Sequence, residues 1–146
     1  MASVIWIIVS LAILLTLIII YFTTIHEIKD STHLKDNIYL SEKVTSPAVY
    51  GIIRPKIILP LSYKDKDIEL IIQHEKTHIR GLDNLWRMIA FMVVAVHWFN
   101  PLAWMFLRAL LADLELSCDE RVLVKLGTDR SKEYATALLE CRQGPT

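Results

Sequence analysis

Net charge is the first thing this 146-residue sequence lacks: 16 Lys and Arg balance 16 Asp and Glu. Without an excess of one sign there is no long-range field to gather nucleic acid or an anionic surface, so no direct nucleic-acid contact is expected. Cysteine is scarce as well. Cys118 and Cys141 stand alone, without the paired spacing of a structural zinc knuckle or a secreted disulfide framework, and a reducing compartment suits them. Repeats and low-complexity tracts are missing too. The length allows one compact unit plus a membrane anchor and is too short for two independent cores.

Charge is also absent from Val4 to Phe22. That run matches the roughly 20 residues a helix needs to cross about 30 Å of hydrocarbon, with Trp6 and Tyr21 placed as interfacial anchors. A cleaved signal peptide would carry a basic segment before the run and a small-residue cleavage site after it, and neither occurs. Residues 1–24 are therefore expected to form a transmembrane helix. Every Lys and Arg follows it, beginning with Lys29 and Lys35, which places residues 25–146 at the cytoplasmic face by the positive-inside rule.

What is present reads as a mainly α, α+β chain. Asn37–Leu40 alternates like a short strand, and SPAVYGIIRPKIILP suggests two more with a turn near Arg54 and Pro55. Proline confines such strands to an edge or to strand ends, so this small sheet either closes the core or offers an edge to an extended peptide. KDKDIELIIQHEKTHIRG predicts a helix: Asp65 or Asp67 caps it, Ile68, Ile71, Ile72 and Ile79 recur at helical spacing, and Gly81 stands at the C′ position. A second helix, capped by Asp83 or Asn84, runs to Trp98, and a third runs from Pro101 or Leu102 to Leu126, with Gly127 just beyond. A last helix starts at Asp129 or Ser131 and shows Tyr134, Leu138 and Leu139 on one face.

His74, Glu75 and His78 form HExxH on the first of these helices. Histidines four apart project from one face, so both imidazoles can share one zinc ion while Glu75 reaches the water beside it. Zinc lowers the pKa of bound water toward about 7, and a nearby carboxylate can accept its proton and pass it to a leaving amine. A third ligand is offered by ELSCDE, where Glu115 and Asp119 are also four apart: Glu115 as ligand, Asp119 as hydrogen-bond partner of a ligand histidine. Helix arithmetic brings Glu115 back. Asp83 to Trp98 climbs roughly 24 Å and Pro101 to Glu115 descends about 22 Å, so a turn at Asn100 and Pro101 returns Glu115 to the level of His78. Each arm is short for a full crossing, and residues 84–112 are expected to form an apolar hairpin packed on the first helix and dipping into the bilayer.

The combination of HEKTHIRGLD, an apolar hairpin, ELSCDE and the upstream GIIRPKIILP resembles the membrane zinc metallopeptidases of the BlaR and MecR type, the antirepressor proteases of beta-lactam sensor-transducers. The resemblance implies a gluzincin core with Zn²⁺ held by His74, His78 and Glu115, Glu75 as general base, and Asp119 and Asp83 as supporting residues. It implies cleavage of a cytoplasmic polypeptide, typically a winged-helix repressor, in the cell membrane of a bacterium. The expected partners are thus a protein substrate and the lipid bilayer, with a homodimer left open. Sensor-transducers of this type carry further membrane helices and an extracellular penicillin-binding domain outside the stretch seen here, so the chain reads as a fragment or a truncated relative without ascribed antibiotic sensing. Two alternatives stay open: a non-catalytic membrane module with zinc as a clasp, and a quality-control protease of the heat-shock type. Cys118 reads as a buried thiol behind the ligand helix, His97 as a turn-satisfying or interfacial histidine, and Arg121 as a solvent-exposed salt-bridge partner. Trp86, Trp98, Trp104, Met88, Met92 and Met105 read as hairpin packing and interface anchoring.

Overall fold

A computed structural model describes residues 1–63, 68–127 and 129–143. It contains five α-helices, two short 3-10 turns and one four-stranded sheet among those residues, as the mainly helical α+β expectation requires. The first helix, α1 (Ala2–Glu27), is long and apolar enough to cross a membrane. Its contact stripe follows helical spacing through Trp6, Ser10, Ile13 and Leu17, and Ser10 is its only buried residue among those described. Most of its other apolar side chains are exposed.

The strands are β1 (Thr32–Lys35), β2 (Ile38–Ser41), β3 (Ala48–Tyr50) and β4 (Lys56–Pro60), in the order β1-β2-β4-β3. β2 and β4 run parallel, and the other two pairs are antiparallel. β4 is an inner strand, flanked by β2 and β3, and is buried from Ile57 to Pro60, a continuous apolar run of the kind a strand covered on both faces requires. Its prolines obey the expectation for strand ends: Pro55 precedes it and Pro60 closes it. β1 has no counterpart in the sequence reading. All four of its residues are exposed, so its own pattern carries no burial signal, and it forms by pairing with β2 across a two-residue turn at Asp36 and Asn37.

Helix α2 (Glu69–Gly81) lies between two cores. Ile71, with Ile68, Ile72 and Ile79, packs on the sheet against Ile57, Leu59, Ile38 and Leu40. On the opposite side Leu70 meets Cys118 and Val122 of α4 (Pro101–Leu126) and Tyr134 of α5 (Ser131–Gln143). The expected caps Asp65 and Asp67 lie outside the described residues, and the observed N-cap, Ile68, makes no side-chain cap bond.

Gly81 is not the C′ glycine. It is the last helical residue, and Leu82 takes the left-handed conformation at φ 55°. The glycine is needed for room: a Cβ there would sit 2.6 Å from Arg121 Nη1 and would collide with Asp83 as well. Nor do Asp83 or Asn84 cap α3 (Asp83–Val96), whose N-cap is Leu82, because both side chains are engaged elsewhere. Helix α3 ends two residues short of Trp98. His97 closes it, with a ring nitrogen on Val93 O at 3.1 Å, which is the turn-satisfying role expected. Asn100 then caps α4 by accepting from Leu102 N, with Pro101 in the first turn.

The hairpin of α3 and early α4 closes on Ala90, Val94, Ala103 and Leu107, where the two alanines let the helices approach. It packs on α1 as expected. Trp6 Nε1 donates to Val96 O at 2.8 Å, so the start of α1 is tied to the hairpin tip. On α5 the buried face is Tyr134, Ala137, Leu138 and Cys141 at helical spacing, and Leu139 is exposed, contrary to the sequence reading.

Candidate metal centre

Helix α2 carries His74, Glu75 and His78 into the gap between its two cores, and all three are buried. The rings of His74 and His78 meet edge to face, which their spacing of one helical turn dictates. Their Nε2 atoms converge at 3.0 Å. Glu115, arriving on α4, sets Oε2 3.9 Å from His74 Nε2 and 3.6 Å from His78 Nε2. The structure thus brings together the three residues that sequence spacing had put on two different helices.

Two further contacts fix which ring nitrogens carry protons. Asp83, 1% exposed, lies 2.5 Å from His78 Nδ1. A carboxylate accepts only, so Nδ1–H of His78 donates to it. The kink at Leu82 makes this possible by turning residue 83 back beneath the ring. Arg121 Nη2, 3.8 Å from Asp83 Oδ1, adds a cation behind the pair, so its salt bridge is made to a buried carboxylate. At His74, Nδ1 lies 2.7 Å from the Tyr134 hydroxyl, which in turn donates to Asp119 Oδ1 at 2.7 Å. Asp119 Oδ1 is itself 3.3 Å from the same ring nitrogen, so the carboxylate expected beside His74 is there, and the tyrosine hydroxyl contacts both.

The arrangement asks for a cation. With both Nδ1 atoms protonated, two Nε2 lone pairs and a carboxylate oxygen face one another. Ligand atoms about 2.0–2.2 Å from a tetrahedral zinc stand about 3.3 Å apart, and the three separations here bracket that value. The donor set of two imidazoles and one carboxylate also suits zinc. In the metal-free chain a proton fills the gap. Burial opposes charge on His78, yet the Cys118 thiol, Glu115 and Asp83 outweigh it and hold the ring up at about 11. Glu115 is correspondingly held down at about 2, chiefly by its hydrogen bond with His78, against burial and with help from Arg87 and His74.

Cys118 also comes within 4.8 Å of the histidine nitrogens. Its Sγ, however, lies 3.7 Å from His74 Nδ1, the ring edge already held by Tyr134, and contacts His74 O behind the helix. Glu115 Oε2 is the carboxylate set against the two Nε2 atoms, and Cys118, which also contacts His78, makes a second candidate ligand group with the same histidines.

Glu75, 7% exposed, lines a 380 Å³ cavity with both histidines and Glu115. Burial pushes its carboxyl up to about 7; His78 opposes the rise, Glu115 adds to it and Arg87 opposes it. The wall opposite is the edge strand β3, through Ala48 and Val49. Asn84 Nδ2 donates to Val49 O at 3.0 Å and Gly51 O at 3.1 Å, pinning that edge to α3.

Two residues here escaped the sequence reading. Arg87 ion-pairs with Glu115 Oε1; it is the one charge within the oily α3 after Asp83, and a lone charge in such a helix needs a partner. Tyr134 was read as part of an apolar face, although a buried tyrosine brings a hydroxyl that must be satisfied.

Known proteins are similar in sequence over most of this chain. The chain is 30% identical over 120 residues to the regulatory protein BlaR1 of Bacillus licheniformis, covering 79% of this chain and 20% of that protein. It is 30% identical over 105 residues to the methicillin resistance mecR1 protein of Staphylococcus aureus, covering 69% and 18% respectively. The regulatory protein BlaR1 of Staphylococcus aureus matches at 29% over 112 residues, covering 73% and 19%. The chain thus spans about a fifth of the length of these curated relatives. The family described as BlaR1 peptidase M56 matches residues 1–146 from end to end, and the chain belongs to that family.

Proposed function

We propose that this chain is the catalytic region of a membrane-bound zinc metalloendopeptidase. His74, His78 and Glu115 would hold the ion, and Glu75 would serve as general base. The observation that carries the reading is the convergence of two Nε2 atoms and one carboxylate oxygen beside a buried Glu75 whose carboxyl is raised to about 7. When bound there, zinc supplies Lewis-acid polarisation of the scissile carbonyl and acidifies a water.

The chain's own residues do the rest. Glu75 takes the proton from the attacking water and returns it to the leaving amine nitrogen, which a carboxyl poised near neutrality does at modest cost in either direction. Asp83 keeps the His78 proton on Nδ1 and orients the ring. Arg87 occupies Glu115 Oε1 and leaves Oε2 directed at the site. The β3 edge, held by Asn84, supplies backbone groups along which an extended peptide can lie.

Residues 1–24 are read as the transmembrane helix, 84–112 as a hairpin dipping into the bilayer, and 25–146 as cytoplasm-facing. The outward apolar surface of α1 and the hairpin supports this. The substrate is read as a cytoplasmic protein, a winged-helix repressor in antirepressor signalling, in keeping with the names of the relatives. To test the reading, the chain is purified in detergent, assayed for zinc content and incubated with a repressor of this class. One zinc per chain and cleavage abolished by Glu75→Gln are expected. Cleavage that survives Glu75→Gln, or a chain without zinc, would refute it.

A further inference from the structure

We infer that Tyr134 is a positioning residue through which docking of α5 locks the His74 proton on Nδ1 and thereby sets the affinity for the metal. The inference rests on the zinc reading above. Tyr134 is 2% exposed, and its ring is packed among Leu70, Cys118 and Val122, so helix docking delivers the hydroxyl to a fixed place. There the phenol oxygen stands 2.7 Å from both His74 Nδ1 and Asp119 Oδ1. Asp119 is acceptor-only when ionised, so it takes the hydroxyl proton, and the oxygen's lone pair is left to accept from Nδ1–H.

The other tautomer is disfavoured on both sides of the ring. It would set the Nδ1 lone pair against an oxygen whose proton is already committed, leaving it to the weak S–H donor of Cys118 at 3.7 Å. It would also put a proton on Nε2, the atom that faces His78 Nε2 at 3.0 Å and Glu115. The phenol therefore clears Nε2 for a ligand. His78 has an equivalent device in Asp83, but that one lies within five residues of chain, whereas Tyr134 comes from 60 residues away. Metal affinity at His74 is thus coupled to a distant helix, and linkage requires the reverse: bound zinc must hold α5 in place.

The test uses the full chain in detergent. Zinc affinity is measured by competition with a chromophoric chelator for wild type and Tyr134→Phe, beside metal-free melting and hydrogen exchange of α5 with and without zinc. Tyr134→Phe keeps the ring and its packing. The expected result is zinc affinity weaker by about 10–100-fold in a variant that still melts cooperatively without metal. Zinc should slow α5 exchange in wild type and do so much less in the variant. Should Tyr134→Phe fail to fold, the exchange measurement on wild type carries the test, and α5 exchange that zinc leaves unchanged would overturn the proposal. Wild-type affinity in the variant that is measured would overturn the proposal. A wild type that binds no zinc would instead overturn the metal reading on which it rests.

Discussion

In one half of the molecule, made of α1, α3 and the start of α4, large apolar side chains point outward: Ile8, Phe22, Phe91, Leu102 and Met105 are all exposed. In the other half, made of the sheet, α2, α5 and the end of α4, a closed core turns inward around Ile57, Leu59, Ile71 and Val122. The inward half is built like a protein in water. The outward half closes on a thin seam of Ala90, Val94, Ala103 and Leu107 and leaves the rest of its oil uncovered. Helix α4 crosses from one regime to the other without a break, so the change is one of side chains and not of backbone. The candidate site stands at the crossing, where Asp83, Asn84 and Arg87 open α3 and where Glu115 and Asp119 follow the oily part of α4. Burial at that boundary raises Glu75, while the hydrogen bond with His78 holds Glu115 down against the same burial.

The largest expected effect lies at the boundary. Glu75→Gln should lower peptide-bond cleavage by about 10²–10⁴-fold while zinc content stays at the wild-type level, because the base is removed and the ligands are not. Parallel loss of zinc would mean that Glu75 holds the ion and is not its base.

The contrast between halves is sharpened by placing the same charge on both. Met105 and Leu116 are 64% and 67% exposed on the same helix. Met105→Lys should cost about 2.5–3.5 kcal/mol of membrane insertion, read as the fraction resistant to carbonate extraction. Leu116→Lys should lie within about 0.5 kcal/mol of wild type in stability. Equal behaviour of the two variants would erase the distinction between the halves.

Arg87 links them. Arg87→Ala releases Glu115 Oε1 and should weaken zinc binding by about 10–100-fold in a chelator competition, with Arg87→Lys recovering part of the loss. Unchanged affinity in Arg87→Ala would make the pair a bystander.

The smallest effect is a pH profile of the metal-free chain. His78, raised from 6.5 to about 11, contributes stability that is full below 6.5 and lost as pH rises through 11. Glu75, raised from 4.5 to about 7, contributes below 4.5 and loses it as pH rises through 7. Glu115, lowered from 4.5 to about 2, contributes above 4.5 and loses it as pH falls through 2. Their sum places the metal-free melting maximum near the ordinary carboxylate value of 4.5, with a decline toward alkaline pH that zinc removes by replacing the proton on His78. Metal-free melting that climbs steadily from acid to alkaline pH would show these groups do not govern it.

Much of this was legible in the sequence because periodicity and helix arithmetic are local rules. The HExxH spacing placed two imidazoles on one face, and the two hairpin arms of similar length returned Glu115 to them. What stayed hidden depended on partners far away in sequence. β1 exists only through β2, since Thr32–Lys35 carries no burial pattern of its own. Gly81 announced a helix end, but its lack of a side chain serves the approach of Arg121 from α4. Tyr134 looked like one more apolar position because helical spacing registers the ring and not the hydroxyl.

The central claim is that zinc is bound by two imidazoles and one carboxylate, with Cys118 behind the rings. X-ray absorption at the zinc edge of the full chain in detergent tests it most directly. A first shell of nitrogen and oxygen alone, near 2.0–2.2 Å, with the signature of two imidazoles, is the predicted result. A sulfur scatterer near 2.3 Å would instead put Cys118 on the metal and contradict the account.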